Sequence, residues 1–213
     1  MEEGLPPPKF VYRYFNDEAH AQRLLDGVVW LSTIEHCRKT DEIRQSDPEE
    51  ATSTWFIEKL DPNMEPELLE RANRALDRYG SRMSNCSDVR LVLMVPNGFM
   101  FCTSLEPGLT SFGGHCVRIA EPARFYSEVS KALLAVHTFD RQGFAPMTYG
   151  EREVGGFDGH PTDPMLLGPP GNAPEREARM YWVPKAGTII ERMEISVPPV
   201  RELCTLIVAK DAR

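Results

Sequence analysis

The segment 9–33, KFVYRYFNDEAHAQRLLDGVVWLST, decides how the chain is expected to fold. Its first seven residues are mostly aromatic or β-branched, which favours a strand. Residues 17–26 follow a polar cap candidate and place apolar side chains near one helical face, until Gly27 ends the pattern. The residues VVWLST at 28–33 have the composition of a second short strand. The segment therefore predicts a strand, a helix and a strand in close succession.

The rest of the chain continues this mixed pattern. Two further stretches, 61–80 and 122–136, have the apolar spacing of helices. Short β-rich segments are found at 89–95, 99–104, 115–119, 144–151, 177–183, 188–195 and 203–209. About eight short strands with three helices between them, without regular βαβ alternation, predict an α+β fold built on antiparallel sheet.

The length of 213 residues suits one domain, predicted to span 1–213 with its core at 9–209. Two stretches within it are expected to be exposed loops. Residues 35–50 are charged and lack an apolar period, and residues 154–174 are dense in Gly, Pro and Asp.

Composition excludes several classes of protein. No window approaches the roughly 18 consecutive apolar residues of a membrane helix, and the N-terminus lacks a secretory signal pattern. The net charge is −8, which argues against binding DNA or anionic lipid through a broad basic face, although a local basic groove remains open. The five cysteines are scattered and form no C-x-x-C pair, so we expect reduced thiols in a cytoplasmic setting.

Two short motifs carry candidate functional side chains. In Tyr12-Arg13-Tyr14, strand alternation places the guanidinium on the face opposite the two rings, which we expect to be buried. Arg13 is then suited to grip a phosphate or carboxylate, or is an ordinary solvent-facing side chain. Ser32 and Thr33 end the second strand, where hydroxyl groups hold a ribose or simply form a turn.

A third motif, Glu175-Arg176-Glu177-Ala178-Arg179, follows the Gly/Pro-rich stretch. On a strand, Glu175, Glu177 and Arg179 share one face. That face is either a charged outer surface or a pair of carboxylates at a strand end beside a loop, which is a common place for catalytic residues.

Other chemistry has less support in the sequence. His115 with Cys102 or Cys116 would be the base and nucleophile of a thiol enzyme, but apolar strand residues flank both cysteines, which is typical of structural thiols. The histidines form no metal-binding pattern, so no metal site is predicted. Neither G-x-G-x-x-G nor G-x-x-x-x-G-K-[ST] occurs, so a nucleotide would have to bind by other means.

The order of these motifs resembles a large bacterial family of unknown function. Its members begin with a Y-R-Y or Y-K-Y strand, have a C-F-S strand in the middle and end near an E-x-E-x-R strand. The corresponding residues here are YRY at 12–14, FCTS at 101–104 and EREAR at 175–179, and the likeness covers roughly residues 10–195. That family is in turn distantly similar to the ADP-ribosyltransferases.

The resemblance implies a split antiparallel β-sheet core, with helices packed on it, that binds NAD without a Rossmann loop. In those transferases the site is formed by an Arg or His on the first strand, a Ser-Thr-Ser strand and a late Glu. The matching positions are Arg13, Ser32 with Thr33, and Glu177, and Trp30-Leu31-Ser32-Thr33 matches the Ser-Thr-Ser motif only in part. The E-x-E pattern adds Glu175 as the group that orients or deprotonates the acceptor.

The implied chemistry is cleavage of the nicotinamide–ribose bond of NAD. Glu177 would stabilise the positive charge that builds on the sugar. Arg13 would hold the pyrophosphate or adjacent ribose, and Ser32 the nicotinamide ribose. Tyr14 or Trp182 would stack on the nicotinamide ring.

The acceptor is left open between protein, nucleic acid and water, as is the oligomeric state. A role as a bacterial toxin, effector or phage-defence protein, acting in its own cytoplasm or a target cell's cytosol, would fit such chemistry. The main alternative is a non-catalytic binding module that keeps the fold and presents the 35–50 and 154–174 stretches to a partner.

Overall fold

The computed structural model describes residues 8–39, 47–60, 70, 86–155, 163–185 and 187–208. The helices are α1 (Glu18–Leu25), α2 (Ile34–Lys39) and α3 (Pro122–Leu134). The longer strands are β1 (Phe10–Phe15), β2 (Val28–Thr33), β3 (Thr52–Leu60), β4 (Cys86–Met94), β5 (Phe99–Ser104), β6 (His115–Ala120), β7 (Phe139–Pro146), β11 (Glu177–Pro184), β12 (Met193–Ser196) and β13 (Cys204–Val208). Three short strands are β8 (Thr148–Tyr149), β9 (Glu153–Gly155) and β10 (Leu167–Gly168).

The main sheet is antiparallel and divides at β5. One edge of β5 pairs with β11 along its whole length, and β7 pairs beyond β11. The other edge is shared, because β2 pairs with Phe99 and Met100 while β1 pairs with Ser104. On one side β2 pairs with β12, and on the other β1 pairs with β6, which pairs with β13. Two arms of the sheet therefore separate on the same edge of one strand.

The larger core lies between this sheet and the helices α1 and α3. Helix α1 begins after Asp17, whose carboxylate accepts a hydrogen bond from the Ala19 N–H at 2.8 Å. Helix α3 has Pro122 in its first turn and buries Phe125, Val129 and Leu133, which lie four residues apart on one stripe. The apolar face of the sheet is thereby removed from water.

A smaller core covers the opposite face of β5 and β11. It contains Ile34 of α2, Met100 of β5 and Tyr181 of β11, together with Met165 from a 3-10 helix. A separate small sheet pairs β3 with β4 in antiparallel and with β9 in parallel orientation. No helix among the described residues is long and apolar enough to cross a membrane.

The predicted α+β fold with mostly antiparallel sheet is confirmed, and the strands β2 and β5 have the predicted bounds. Strand β3 was not predicted, and the helix predicted over 61–80 lies outside the described residues apart from residue 70. The expectation of exposed loops is wrong in part. Residues 35–39 belong to α2, and Glu50, Met165 and Leu167 are buried.

Candidate functional site

A cleft opens where the two arms of the sheet separate. Between the β1 and β2 pairings, Cys102 of β5 has no strand partner on this edge. Two adjoining compartments of about 360 and 250 Å³ meet there. The residues common to both walls are Arg13, Tyr14, Asn16, Ser32 and Phe112. The smaller compartment also contains Glu175 and Glu177, so five predicted site residues line one cleft.

Arg13 bridges the gap between the arms. Its Nη1 donates to the Cys102 carbonyl oxygen at 2.5 Å, and its guanidinium lies 5.2 Å from the Phe101 ring centroid. Among the described residues its Nε–H has no hydrogen-bond acceptor. The prediction that the tyrosine rings face the core is wrong, because Val11 supplies the core contact of β1 from the face that Arg13 shares. Arg13 therefore lies at the split and not on an outer surface.

The two hydroxyl residues at the end of β2, Ser32 and Thr33, have different roles. Ser32 lines both compartments, and its Oγ lies 3.9 Å from the Cys37 sulfur. Thr33 is buried, and its Oγ1 accepts a hydrogen bond from the His36 N–H at 3.2 Å, capping α2. Thr33 is therefore a helix cap and does not reach the cleft, which corrects its prediction as a ribose contact.

The two predicted stacking residues, Tyr14 and Trp182, lie in different places. Tyr14 lines both compartments, and its hydroxyl donates to the Glu106 carbonyl at 2.8 Å and accepts from the Leu109 N–H at 3.2 Å. Trp182 is 0% exposed, and its indole N–H donates to Ser130 at 2.8 Å inside the larger core. The prediction that Trp182 stacks on a ligand is wrong, because no ligand can reach its ring.

Glu177 is held by Arg179, two residues along the same face of β11. The Arg179 Nε donates to Glu177 Oε1 at 2.9 Å, and the Glu177 side chain is 15% exposed. Burial opposes ionisation, but the charge and hydrogen bonds of Arg179, the Cys102 thiol and Arg13 outweigh it and lower the pKa of Glu177. Glu177 is thus an ionised carboxylate in a mostly buried position.

Glu175 lies in the same compartment but in different surroundings. It ends the 3-10 helix Pro170–Glu175 and therefore does not share a strand with Glu177, contrary to prediction. Burial, together with the negative charge of Glu177, raises the pKa of Glu175 to about 7. Two carboxyl groups of one cleft thus have pKa values displaced in opposite directions, which is typical of acid–base sites.

Tyr149 supports this corner of the cleft. Its hydroxyl oxygen accepts a hydrogen bond from the Glu177 backbone N–H at 2.6 Å, which ties β8 to the start of β11. Burial raises the pKa of Tyr149 to about 12, so the phenol remains neutral. Nothing in the local sequence around Tyr149 predicted its place beside Glu177.

The larger compartment is rich in cationic and aromatic side chains. Arg23 of α1 forms an ion pair with Glu194 of β12, and Arg192 Nη1 lies 3.3 Å from His36 Nε2. Trp30 is 41% exposed, with the His20 ring edge-on at a centroid distance of 5.2 Å. Because Asp17 and Glu194 also line its wall, this compartment combines charges of both signs with aromatic surface beside Arg13.

The turn at 47–50 forms part of the wall of the smaller compartment, held there by two ion pairs. Arg152 donates to both oxygens of Asp47, at 2.6 and 2.5 Å, and Arg179 Nη1 donates to Glu50 Oε1 at 2.6 Å. The partners are 105 and 129 residues apart in sequence, so no local pattern predicts them.

The thiol-enzyme alternative is not supported by the surroundings of the cysteines. Burial raises the pKa of Cys102 well above its usual value and that of Cys116 to about 11. Both groups are therefore protonated thiols, whereas a nucleophilic cysteine needs a lowered pKa. Over the described part of the chain, no group of three His, Cys, Asp or Glu side chains is arranged to hold a metal ion.

Comparison of the chain with models of protein families, with curated proteins and with solved structures gives no match in any of the three. The likeness to a bacterial family and to the ADP-ribosyltransferases thus stays a prediction that depends on the short motifs.

Proposed function

We propose that the protein is an NAD-consuming ADP-ribosyltransferase, which transfers ADP-ribose from NAD to a macromolecular acceptor or to water and releases nicotinamide. One observation carries the proposal. Arg13 of β1, Ser32 of β2 and Glu177 of β11 line a single cleft, although they come from distant parts of the sequence. The division of the sheet at β5 also supports an ADP-ribosyltransferase-like fold, whose antiparallel sheet is split.

The residues of the cleft fit the chemical groups of NAD. Arg13 and Arg192 of the larger compartment are donors suited to a pyrophosphate, and Arg13, whose Nε–H has no acceptor among the described residues, lies where the two compartments meet. The volumes of about 360 and 250 Å³ suit a ligand divided between them, since ligand pockets measure roughly 300–1,000 Å³. Of the two predicted stacking residues, Tyr14 is the one that lines the cleft, so it is the candidate to stack on the nicotinamide ring.

Glu177 is the proposed catalytic residue for breaking the glycosidic bond. The bond between ribose C1′ and the nicotinamide nitrogen breaks, and its electron pair leaves with nicotinamide. Positive charge then develops on the ribose, and an ionised carboxylate beside it lowers the energy of that state. The lowered pKa of Glu177 ensures that this negative charge is present at neutral pH.

Glu175 is the proposed general base. An acceptor X–H forms the new C1′–X bond and gives up its proton, which Glu175 takes before releasing it to solvent. A pKa of about 7 suits this task, because half of the groups are unprotonated near neutral pH and the conjugate acid still forms readily.

The proposal is tested by measuring nicotinamide release from NAD by the wild type and by Glu177→Gln. We expect the variant to lose about 10²–10³-fold in rate, the loss typical of removing one electrostatic stabiliser. Glu128→Gln is the matched control, because Glu128 pairs with Lys131 on α3 and does not line the cleft.

A strict transferase releases little nicotinamide without its acceptor, so the assay is repeated with cell lysate and NAD labelled in the adenylate part. Label transfer that depends on Glu177 supports the proposal. Absence of NAD binding, nicotinamide release and label transfer alike would contradict it and favour the non-catalytic binding module.

A further inference from the structure

Arg179 is a buried cation that the proposed chemistry does not yet use. Its guanidinium donates to Glu177 on one side and to Glu50 on the other. The third acceptor residue is Met165, whose carbonyl oxygen lies 3.0 Å from Nη1. Its side chain is only 5% exposed, so these contacts fix the guanidinium from several directions.

We propose that Arg179 is a positioning residue, which fixes the orientation of the Glu177 carboxylate and keeps it ionised, while Glu50 and the Met165 carbonyl fix Arg179 itself. This role rests on the proposed function, because it matters for turnover only if Glu177 stabilises the reacting ribose. A planar guanidinium with several fixed donors suits the task, whereas an ammonium on a flexible stem does not.

The contacts explain why Glu177 needs such a partner. A carboxylate taken out of water without compensation becomes protonated, and it then has no negative charge to offer a developing cation. The charged and titratable groups that face it are Arg13 of β1, Cys37 of α2, Cys102 of β5, Tyr149 of β8, Glu175 of the preceding 3-10 helix and Arg179 of β11. Arg179 is the cation in direct hydrogen-bond contact with it.

Arg152 provides a matched comparison within the same cleft. It is also buried, also lines the smaller compartment and also binds a carboxylate of the 47–50 turn through two hydrogen bonds. Its carboxylate partner is Asp47 and not Glu177. A purely structural role for buried arginines at this wall would therefore give Arg152 and Arg179 the same behaviour.

The test compares Arg179→Lys with Arg152→Lys, using two measurements. The first is the titration of the Glu177 side-chain carboxyl by NMR on protein labelled with ¹³C-glutamate, with the signal assigned through Glu177→Gln. The second is the pH profile of nicotinamide release, together with kcat and the KM for NAD. Thermal unfolding of both variants reports the loss of stability.

In Arg179→Lys we expect the pKa of Glu177 to rise by about one unit, and kcat to fall about 10–100-fold with the KM for NAD within about threefold. Glu175 sets the acid limb of the profile near pH 7. A second, steeper fall in rate at lower pH marks the protonation of Glu177, and this second fall moves to higher pH in the variant. In Arg152→Lys we expect a comparable loss of thermal stability, with the pKa and the second fall unchanged. Equal effects of the two variants on the pKa, or no effect of Arg179→Lys, would overturn the proposal.

The test still gives an answer if Arg179→Lys does not fold or if the wild type is inactive. If Arg179→Lys does not fold, the wild type decides, because the proposal requires Glu177 to titrate below the usual value of about 4.3 and is overturned by a value at or above it. If the wild type shows no NAD binding, no nicotinamide release and no label transfer, the proposed function fails. The carboxyl titrations need no turnover and still decide whether Arg179 controls Glu177.

Discussion

Glu175 and Glu177 are two residues apart, yet their surroundings displace their pKa values in opposite directions. The raised pKa of Glu175 has a consequence for stability. Unfolded glutamate titrates near pH 4.3, so between about pH 4.3 and 7 the folded state holds more protons than the unfolded state. The stability contributed by Glu175 is therefore complete below about pH 4.3 and is lost as the pH rises through 7.

Replacing Glu175 by Gln, which resembles the protonated form, should remove this loss. At pH 8 we expect the free energy of unfolding to rise by about 1 kcal/mol, since the group is half-buried and screened by solvent. This corresponds to a rise in Tm of about 2–4 °C. Near pH 4 we expect little change in either quantity. Thermal unfolding at the two pH values measures it. Glu202→Gln, an exposed carboxylate outside the cleft, is the control. A variant less stable than the wild type at pH 8 would contradict the raised pKa of Glu175, because it would show that the ionised carboxylate does not destabilise the fold.

At the scale of elements, the turn before β6 has one position that admits only glycine. Gly113 has φ +152°, and a Cβ built there would lie 2.3 Å from the Phe15 carbonyl oxygen of β1. Gly113→Ala should therefore lower the free energy of unfolding by roughly 2–4 kcal/mol, through strain and displacement of the end of β1.

The neighbouring Gly114 is a close control, because a Cβ there meets nothing within 4 Å. Gly114→Ala should change the free energy of unfolding by no more than about 0.5 kcal/mol in denaturant titrations. Equal effects of the two substitutions would contradict the close approach of this turn to β1. Since Phe112 precedes Gly113 and lines both compartments, only Gly113→Ala should also disturb the cleft.

Most strands of the arms could be predicted because each carries its own signal, although β12 begins at Met193, five residues later than the predicted strand at 188–195. Strands β2 and β5 are short apolar runs bounded by polar or turn residues, and their bounds agree with the prediction. The role of Arg13 at the split could not be predicted from its strand alone, since alternation shows which residues share a face but not what lies opposite. The 47–50 turn looked exposed because its carboxylates find partners only after the chain folds.

At the scale of the whole molecule, the net charge of the chain does not describe the charged side chains that line the cleft. The chain has a net charge of −8, yet three arginines, Arg13, Arg23 and Arg192, line the larger compartment, together with the two carboxylates Asp17 and Glu194. The resemblance of motifs predicted Arg13, Ser32, Glu175 and Glu177 as site residues. All four line one cleft in the folded chain. Trp182 and Thr33 failed as site residues because a single strand pattern does not distinguish a core position from a cleft position.

The proposed function requires NAD to bind across this cleft with its scissile bond beside Glu177. The most direct measurement is a crystal structure of Glu177→Gln with NAD, in which slow turnover preserves the intact dinucleotide. We expect the pyrophosphate near Arg13 and the nicotinamide ribose beside residue 177 and Ser32. NAD bound elsewhere, or an empty cleft at NAD concentrations in the millimolar range, would contradict it.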